Sequence, residues 1–457
     1  MAGSDRGVVV SVPNGVPGPD GLPVVGSLLG MRRDVLGLLE AARRAHGDVV
    51  RVWAGPPGLR TVFYAVFSPE GVRQVLSGRA ADFRKDNQFY DEVRASFGNG
   101  LLTSQDADHV RQRRLVQPVF TPRAVDGHAE RMVREVRSTV ARWGDEIDLG
   151  PEMTGLTLRV VTQVLFGADA SDAEHVVRRC FPVVNAHLLR RGFAPLRTPR
   201  HWPTPANRRA AAARAELYAL CDRIVAARRA GDGEDDLLGR LVRARDERGD
   251  RLSAEEVRDQ VLILLLAGHE TTATSLTCAL HLLATHPEVQ ERVREEVDRV
   301  VGAREPRASD LPELRCTARV LKEAMRLYPA IPMTGRRCHE DVELNGLHVP
   351  AGSDVFVSPW ITHRHPEHWE APEVFDPDRF LPENEAARPR YAWLPFGGGP
   401  RACIGQHFSL LEAALALAVV VRHRELSAVG DGLPVAFGAT LQITGPVRCR
   451  LRRRALS

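Results

Sequence analysis

One long helix constrains this sequence more than any other feature. Ser253-Ala-Glu-Glu256 is a capping box, in which the serine hydroxyl and the glutamate carboxylate each satisfy a backbone N–H at a helix start. Helical periodicity then continues to His286, where Pro287 stops it. Some 33 residues at about 1.5 Å each span roughly 50 Å, the width of a whole domain. The middle, Val261-Leu-Ile-Leu-Leu-Leu-Ala267, is apolar on every side and so must be buried. Into that run the sequence sets Gly268-His269-Glu270-Thr271-Thr272. A glycine, an acid and two β-branched hydroxyl residues are poor choices for a helix core, and local rules broken in a buried place point to function.

The rest of the 457 residues can wrap such a helix. Helical periods are expected at 34–46 and through most of 69–302, with a last helix over 405–422. Val49–Trp53 and Arg60–Phe67 read as strands around the turn Pro56-Pro57-Gly58. A small sheet is expected over 337–358, a Pro-rich loop over 364–400 and strands over 433–454. No repeat or linker divides the chain. The expectation is a mainly α fold with a minor β-sheet region: a Pro/Gly-rich arm over residues 1–30, then a single catalytic domain over 31–457.

Composition removes several classes. Lys+Arg 62 against Asp+Glu 58 gives a net charge of +4, too even for a dedicated nucleic-acid binder. Only Lys85 and Lys322 are lysines; the other basic residues are arginines. The seven cysteines are scattered and never form a C-x-x-C pair, which argues against disulfides and zinc and for a reducing, cytoplasmic setting. The apolar run at Val261–Ala267 is seven residues long, against about 20 for a membrane span, so no transmembrane segment is expected. The N-terminus lacks a cleavable signal pattern.

The strongest chemical signal is Phe396-Gly397-Gly398-Gly399-Pro400-Arg401-Ala402-Cys403-Ile404-Gly405. Glycines allow a backbone to approach another group closely. Cys403 precedes a helix N-terminus, where N–H groups and the dipole favour a thiolate. A thiolate with no Cys or His beside it cannot build a zinc or iron–sulfur site, but it can be the single protein ligand of a haem. A Gly-rich turn around an inert cysteine is the structural alternative. A phosphate loop is not, because no Gly-Lys-Ser/Thr follows.

This loop, F-x-x-G-x-R-x-C-x-G, resembles the haem-binding loop of the cytochrome P450 monooxygenases at every fixed position. Four further elements are similar to that family's motifs, in the same order: His109-Val-Arg-Gln-Arg113, Ala267-Gly268-His269-Glu270-Thr271-Thr272, Glu323-Ala324-Met325-Arg326, and Pro377-Asp378-Arg379-Phe380 with Asp in place of Glu. The resemblance implies the P450 fold, with haem b between the long helix and the Cys403 loop. It implies Cys403 as the iron ligand. His109, Arg113, Arg401 and Arg336 (with Arg337 as the competing choice) are implied at the haem propionates, which need charge-assisted donors. Phe396 and Gly268 would also lie at the cofactor, the glycine opening a groove for dioxygen. Glu323, Arg326 and Arg379 would form a buried charge network beneath the loop. Thr271 would hydrogen-bond dioxygen at the haem while Glu270 relays protons from water; a haem sensor without turnover would need no such relay.

The substrate side is less sharply defined. By family position the pocket candidates are Phe89, Tyr90, Phe97, Leu266, Ala267, Ile331, Met333 and Leu441, an apolar set suited to a bulky apolar skeleton such as a terpenoid or polyketide. Coupling, desaturation or rearrangement without oxygen insertion is the alternative chemistry. The arginines 190, 191, 197, 200, 208 and 209 with Trp202 read as the solvated face of a lid, or one that meets a membrane or an anionic substrate. The chain continues only about 50 residues beyond Cys403, so electrons are expected from a ferredoxin or flavodoxin with its reductase, docking at Arg111 and Arg114 once Arg113 has turned to a propionate.

Overall fold

The computed structural model describes residues 15–454, apart from 57–59, 168–169, 195–196, 231–236, 246–248 and 431. Eight helices frame the region of interest: α1 (Gln88–Phe97), α2 (Asp106–Val116), α3 (Leu149–Phe166), α4 (Ala170–Gly192), α5 (Pro205–Ala230), α6 (Ala254–Thr285), α7 (Arg315–Leu327) and α8 (Gln406–His423). The capping box forms as the sequence requires. Ser253 Oγ accepts from Glu256 N at 3.1 Å, and Glu256 Oε2 accepts from Ser253 N at 2.7 Å. α6 is the axis of the fold and packs most extensively on α3. Thr157 Oγ1 on α3 donates to His269 O at 2.9 Å, and Thr272 Oγ1 lies 3.1 Å from Ser409 Oγ on α8. By length and mean hydropathy (1.3 over its most apolar window) α6 could cross a membrane, which the seven-residue run does not reveal. Burial of 72% of that window inside the protein accounts for the apolarity as core.

The main sheet contains β1 (Val49–Ala54), β2 (Thr61–Val66), β3 (Phe83–Arg84), β4 (Thr334–Cys338) and β5 (Asp354–Val357), in the order β1-β2-β5-β4-β3. Only β2 and β5 run parallel. Phe83 pairs with Cys338 and Arg84 with Arg337, so the chain leaving β3 at Lys85 runs toward Arg336. A hairpin of β6 (Val435–Ala436) and β7 (Gln442–Ile443) is anchored where Leu441 N donates to Ala330 O at 2.8 Å. Val342–Leu344 and Leu347–Val349 pair as a second hairpin. A three-stranded sheet joins Glu146–Asp148, Arg448–Arg453 and Arg424–Ala428. The last of these strands lies where no strand was expected, directly after α8.

Within the expected arm, residues 1–14 lie outside the described residues, as do Pro57 and Gly58 of the expected turn. The remainder of the arm is more ordered than its composition suggests. Val16 is fully buried, Arg51 N donates to Pro17 O at 2.8 Å, Gly26 bridges to Ala54, and Leu28–Arg33 form a short helix.

Candidate functional site

The Cys403 loop closes on itself. Cys403 N donates to Phe396 O at 2.9 Å and Ala402 N to Gly399 O at 3.0 Å. Gly399 has φ +64°, and a Cβ there would lie 1.9 Å from Leu76 O, so only glycine fits. Phe396 thus contributes its carbonyl to the turn. Cys403 is the one exposed cysteine of the seven. Yet its surroundings are protein: burial pushes its thiol upward, while the Gly405 N–H, Arg113 and Lys85 act the other way. Both facts hold together if the sulfur opens on an internal recess rather than on the outer surface.

A basic cluster adjoins the loop. His109 is buried on α2. One turn on, Arg113 Nη1 donates to Ala402 O at 2.9 Å and ties α2 to the loop. Arg401 Nη2 donates to Gln105 Oε1 at 3.0 Å, but its buried Nη1 has no partner among the described residues. Arg336 is buried on β4 and donates only to Thr334 Oγ1 and Gly335 O. Arg337, on the opposite face of the strand, pairs with Asp354 at 2.9 Å, and this favours Arg336 as the inward residue.

Lys85 completes the group and was not expected. It is buried, donates to Leu102 O at 3.2 Å and sits 5.1 Å from the Tyr90 ring centroid. Burial and the Arg336 and Arg401 charges drive its pKa far down. Burial with Arg401, Lys85 and Arg113 lowers His109 to about 3, and burial with Arg336 lowers Arg401 to about 10. A buried cluster of donors and cations of this kind suits an anionic partner.

On α6, Ala267 is exposed although Leu265 and Leu266 before it are buried. Thr271 Oγ1 donates to Ala267 O at 2.8 Å. Glu270 Oε1 accepts from Gln442 Nε2 at 3.3 Å, and burial raises its pKa. His269 is buried with Nδ1 2.7 Å from Leu265 O, and burial lowers it to about 4, leaving it neutral. Gly268 has a packing role as well. A Cβ there would meet Val161 Cγ2 of α3 at 3.0 Å, so the glycine lets α3 and α6 pack closely.

The family model "Cytochrome P450" matches residues 16–440. The chain belongs to the cytochrome P450 family. Cyclooctatin synthase of Streptomyces melanosporofaciens is 42% identical over 408 residues, 88% of each chain. Pentalenene oxygenase of Streptomyces avermitilis is 38% identical over 443 residues, 96% of each. The crystal structure of the cytochrome P450DA heme domain superposes with a TM-score of 0.86 at 30% identity, covering 96% of this chain and 98% of that one. This P450 is therefore a haem monooxygenase that needs dioxygen, a substrate and a source of electrons. The open thiol and the uncompensated cation cluster fit a haem, whose two carboxylates would be the missing anions.

Beneath the loop, Glu323 and Arg326 on α7 are fully buried and bonded twice, at 2.6 and 2.8 Å. Arg326 spends its other donors on His363 O, Pro372 O and Val374 O, so all five N–H groups are used. Arg379 sits looser, 3.5 Å from Glu323 Oε1. The pocket candidates fall into separate groups. Tyr90 hydrogen-bonds Thr334 at 3.2 Å, Phe89 meets Phe193 at 5.5 Å, and Phe97 meets Phe181 at 6.1 Å. Leu266 and Leu441 are buried, Ile331 is half-buried, and Met333 packs toward the sheet with Trp360 and Phe437.

Two charge expectations need correction. Arg111 is not available for docking: it binds Asp108 at 3.0 Å and also Glu256. Arg114 is exposed. Of the lid arginines, 191, 197 and 200 converge on buried Glu92 of α1: Arg191 is buried with it, while Arg197 and Arg200 bind it and remain exposed.

Proposed function

We propose that this P450 binds haem b through Cys403 and inserts one oxygen atom from dioxygen into a bulky apolar natural product, by hydroxylation or epoxidation, in the cytoplasm. A terpenoid is favoured over a polyketide, because the relatives' names include pentalenene and cyclooctat-9-en-7-ol. The observation that carries the reading is the open Cys403 thiol beside a buried cation cluster with no carboxylate partner among the described residues. Haem held there by a thiolate supplies oxygen activation. His109, Arg113, Arg336, Arg401 and Lys85 hold its carboxylates. Thr271 offers a hydroxyl beside the exposed Ala267, and Glu270 supplies that hydroxyl with protons. Phe89, Tyr90, Phe97 and Ile331 give the substrate apolar walls. A separate ferredoxin or flavodoxin with its reductase delivers electrons, with Arg114 on α2 part of the basic docking face. Steering of this kind weakens with salt.

The test reconstitutes the enzyme with such a redox pair and offers it polycyclic hydrocarbons and their mono-alcohols. A product heavier by one oxygen atom, with ¹⁸O incorporated from labelled dioxygen, is expected. Thr271→Ala should keep substrate affinity but release peroxide in place of product. A dehydrogenated or coupled product without added oxygen, or full product yield in Thr271→Ala, would overturn the reading.

A further inference from the structure

Away from the Cys403 loop, the fold brings Asp48, at the start of β1, against His365, 317 residues later. Phe67 joins the two segments: its N–H donates to Asp48 O and its carbonyl accepts from Thr362 Oγ1, each at 2.9 Å. His365 is 2% exposed, and its Nε2 lies 2.9 Å from Asp48 Oδ1. The hydrogen bond to His365, helped by the charges of His365, Arg43 and His368, holds Asp48 below the ordinary aspartate range against its burial. A carboxylate acceptor keeps the ring proton on Nε2 and leaves Nδ1 with a free lone pair. The contact at Nδ1 is the Glu367 N–H at 3.3 Å, longer than a firm hydrogen bond.

That lone pair has further neighbours. His365-Pro-Glu-His368 closes one helical turn, in which His368 N and Trp369 N both donate to His365 O at 3.0 Å. Positions three apart on a turn face the same side, and the two imidazoles lie 5.0 Å apart between centroids. His365, Glu367 and His368 each offer a donor atom within 4.8 Å of the others. Trp369, 1% exposed, anchors the turn through Nε1 to Ala392 O at 3.3 Å. Glu367 is exposed and His368 half-buried, so both side chains can rotate. Ligands of a tetrahedral zinc ion sit roughly 3.3 Å from one another, a closure of about 1.5 Å at most.

We propose that His365 Nδ1, Glu367 and His368 form a binding site for one zinc-class divalent ion, and that Asp48 orients the His365 ring. Two imidazoles select zinc, copper or nickel over magnesium and calcium. A ligating histidine commonly donates its other N–H to a carboxylate, as His365 does to Asp48. The Asp48 and Glu367 carboxylates balance the ion's charge, with Arg43 the cation acting against it. Three protein ligands leave a fourth position for water. Because Asp48 precedes β1 while the ligands follow the short helix Pro359–Thr362, a bound ion would tighten the contact between the two segments.

The test titrates the chelator-treated, haem-loaded enzyme with zinc chloride in a calorimeter and melts it with and without zinc. One equivalent should bind, and zinc should raise the melting temperature. His368→Ala and Glu367→Gln should each weaken that equivalent tenfold or more while keeping the haem spectrum and the zinc-free melting temperature. Asp48→Asn should weaken it by about 10–100-fold. His175→Ala, at an exposed position on α4, should bind as the parent does. Zinc-edge X-ray absorption should show two imidazoles and oxygen. No saturable equivalent, undiminished binding in His368→Ala and Glu367→Gln, equal affinity for magnesium, or a sulfur ligand at about 2.3 Å would each overturn the site. Undiminished binding in Asp48→Asn would overturn the role given to Asp48.

Discussion

Replacing Glu92 by glutamine preserves shape and removes one charge at the point where three guanidinium groups meet. Glu92 is 3% exposed and accepts from Arg191 Nε at 2.8 Å and Nη2 at 3.1 Å, from Arg197 at 3.2 Å, and from Arg200. Arg191 also donates to Thr198 O at 2.7 Å, and Gln88 reaches Arg191 O and Ala194 O. The segment after α4 is therefore clamped to α1. Arg191 is nearly as buried as Glu92, and breaking such a pair costs about 3–5 kcal/mol. The Arg197 and Arg200 side chains are 37% and 36% exposed, so each adds only the surface value of about 0–1 kcal/mol. Three kcal/mol or more, borne by a segment at the edge of the fold, raises its open population by at least about a hundredfold. Hydrogen exchange of the Phe193, Ala194, Arg197, Thr198 and Arg200 amides should speed up by that factor in Glu92→Gln while α6 amides stay protected. Unchanged exchange in the segment would refute the clamp.

The same clamp has a defined pH window. Burial acts to raise the Glu92 carboxyl, but Arg191 and Arg200 outweigh it and hold the group below the ordinary glutamate range. A depressed acid contributes stability above its unfolded pKa of about 4.3 and loses it as pH falls through the folded value. The segment should thus stay closed through neutral pH and release only in acid, and Glu92→Gln should abolish that acid transition.

Glu412 on α8 is fully buried, and neither carboxyl oxygen has a partner among the described residues; burial holds its proton far above the usual range. A raised acid costs stability as pH rises above about 4.3, by about 1.4 kcal/mol per unit until its folded pKa. Glu412→Leu should therefore melt higher than wild type, with a gap that widens from pH 5 to pH 7; a gap that stays constant or reverses would count against this. Lys85→Met should raise the melting temperature of the haem-free protein by relieving repulsion with Arg336 and Arg401, and should speed haem loss from the holoenzyme. A haem-free protein that melts lower would show that Lys85 is not repelled there.

The parts of the site legible in the sequence are those whose geometry is local. The capping box spans four residues, and the positive-φ Gly399 turn with the Phe396–Cys403 closure spans eight, so each is written in a short local stretch. Family position preferred Arg336 over Arg337 but could not show which faces inward; Asp354, pairing with Arg337 from the neighbouring strand, supports Arg336. The α3 contact of Gly268 was not readable, because Val161 lies 107 residues away in sequence. The Arg111–Asp108 pair, at i and i+3, was readable, whereas Glu256, 145 residues away, was not. Gln442 and the Arg191 partner of Glu92 are likewise products of tertiary structure, 172 and 99 residues from the groups they bind. Lys85 did carry a signal: one of two lysines among sixty arginines is an unusual choice, and a compact ammonium fits a crowded buried corner that a guanidinium fork would overfill.

The central helix explains why an acid and an alcohol stand next to each other in an otherwise apolar run. A straight helix turns about 100° per residue, so neighbours in sequence open on different spaces while their backbones remain one rise apart. Ala267 and Thr271 share one side, joined by the 2.8 Å bond between hydroxyl and carbonyl. Glu270, Ala273, Thr274 and Thr277 share the side that lines a lateral cavity. Separating acid and alcohol by three or four residues would put both on one face, where water reaching the acid would also reach the reacting centre. Placing them one apart sets the acid and the alcohol on different sides of α6, which packs against α3 and α8.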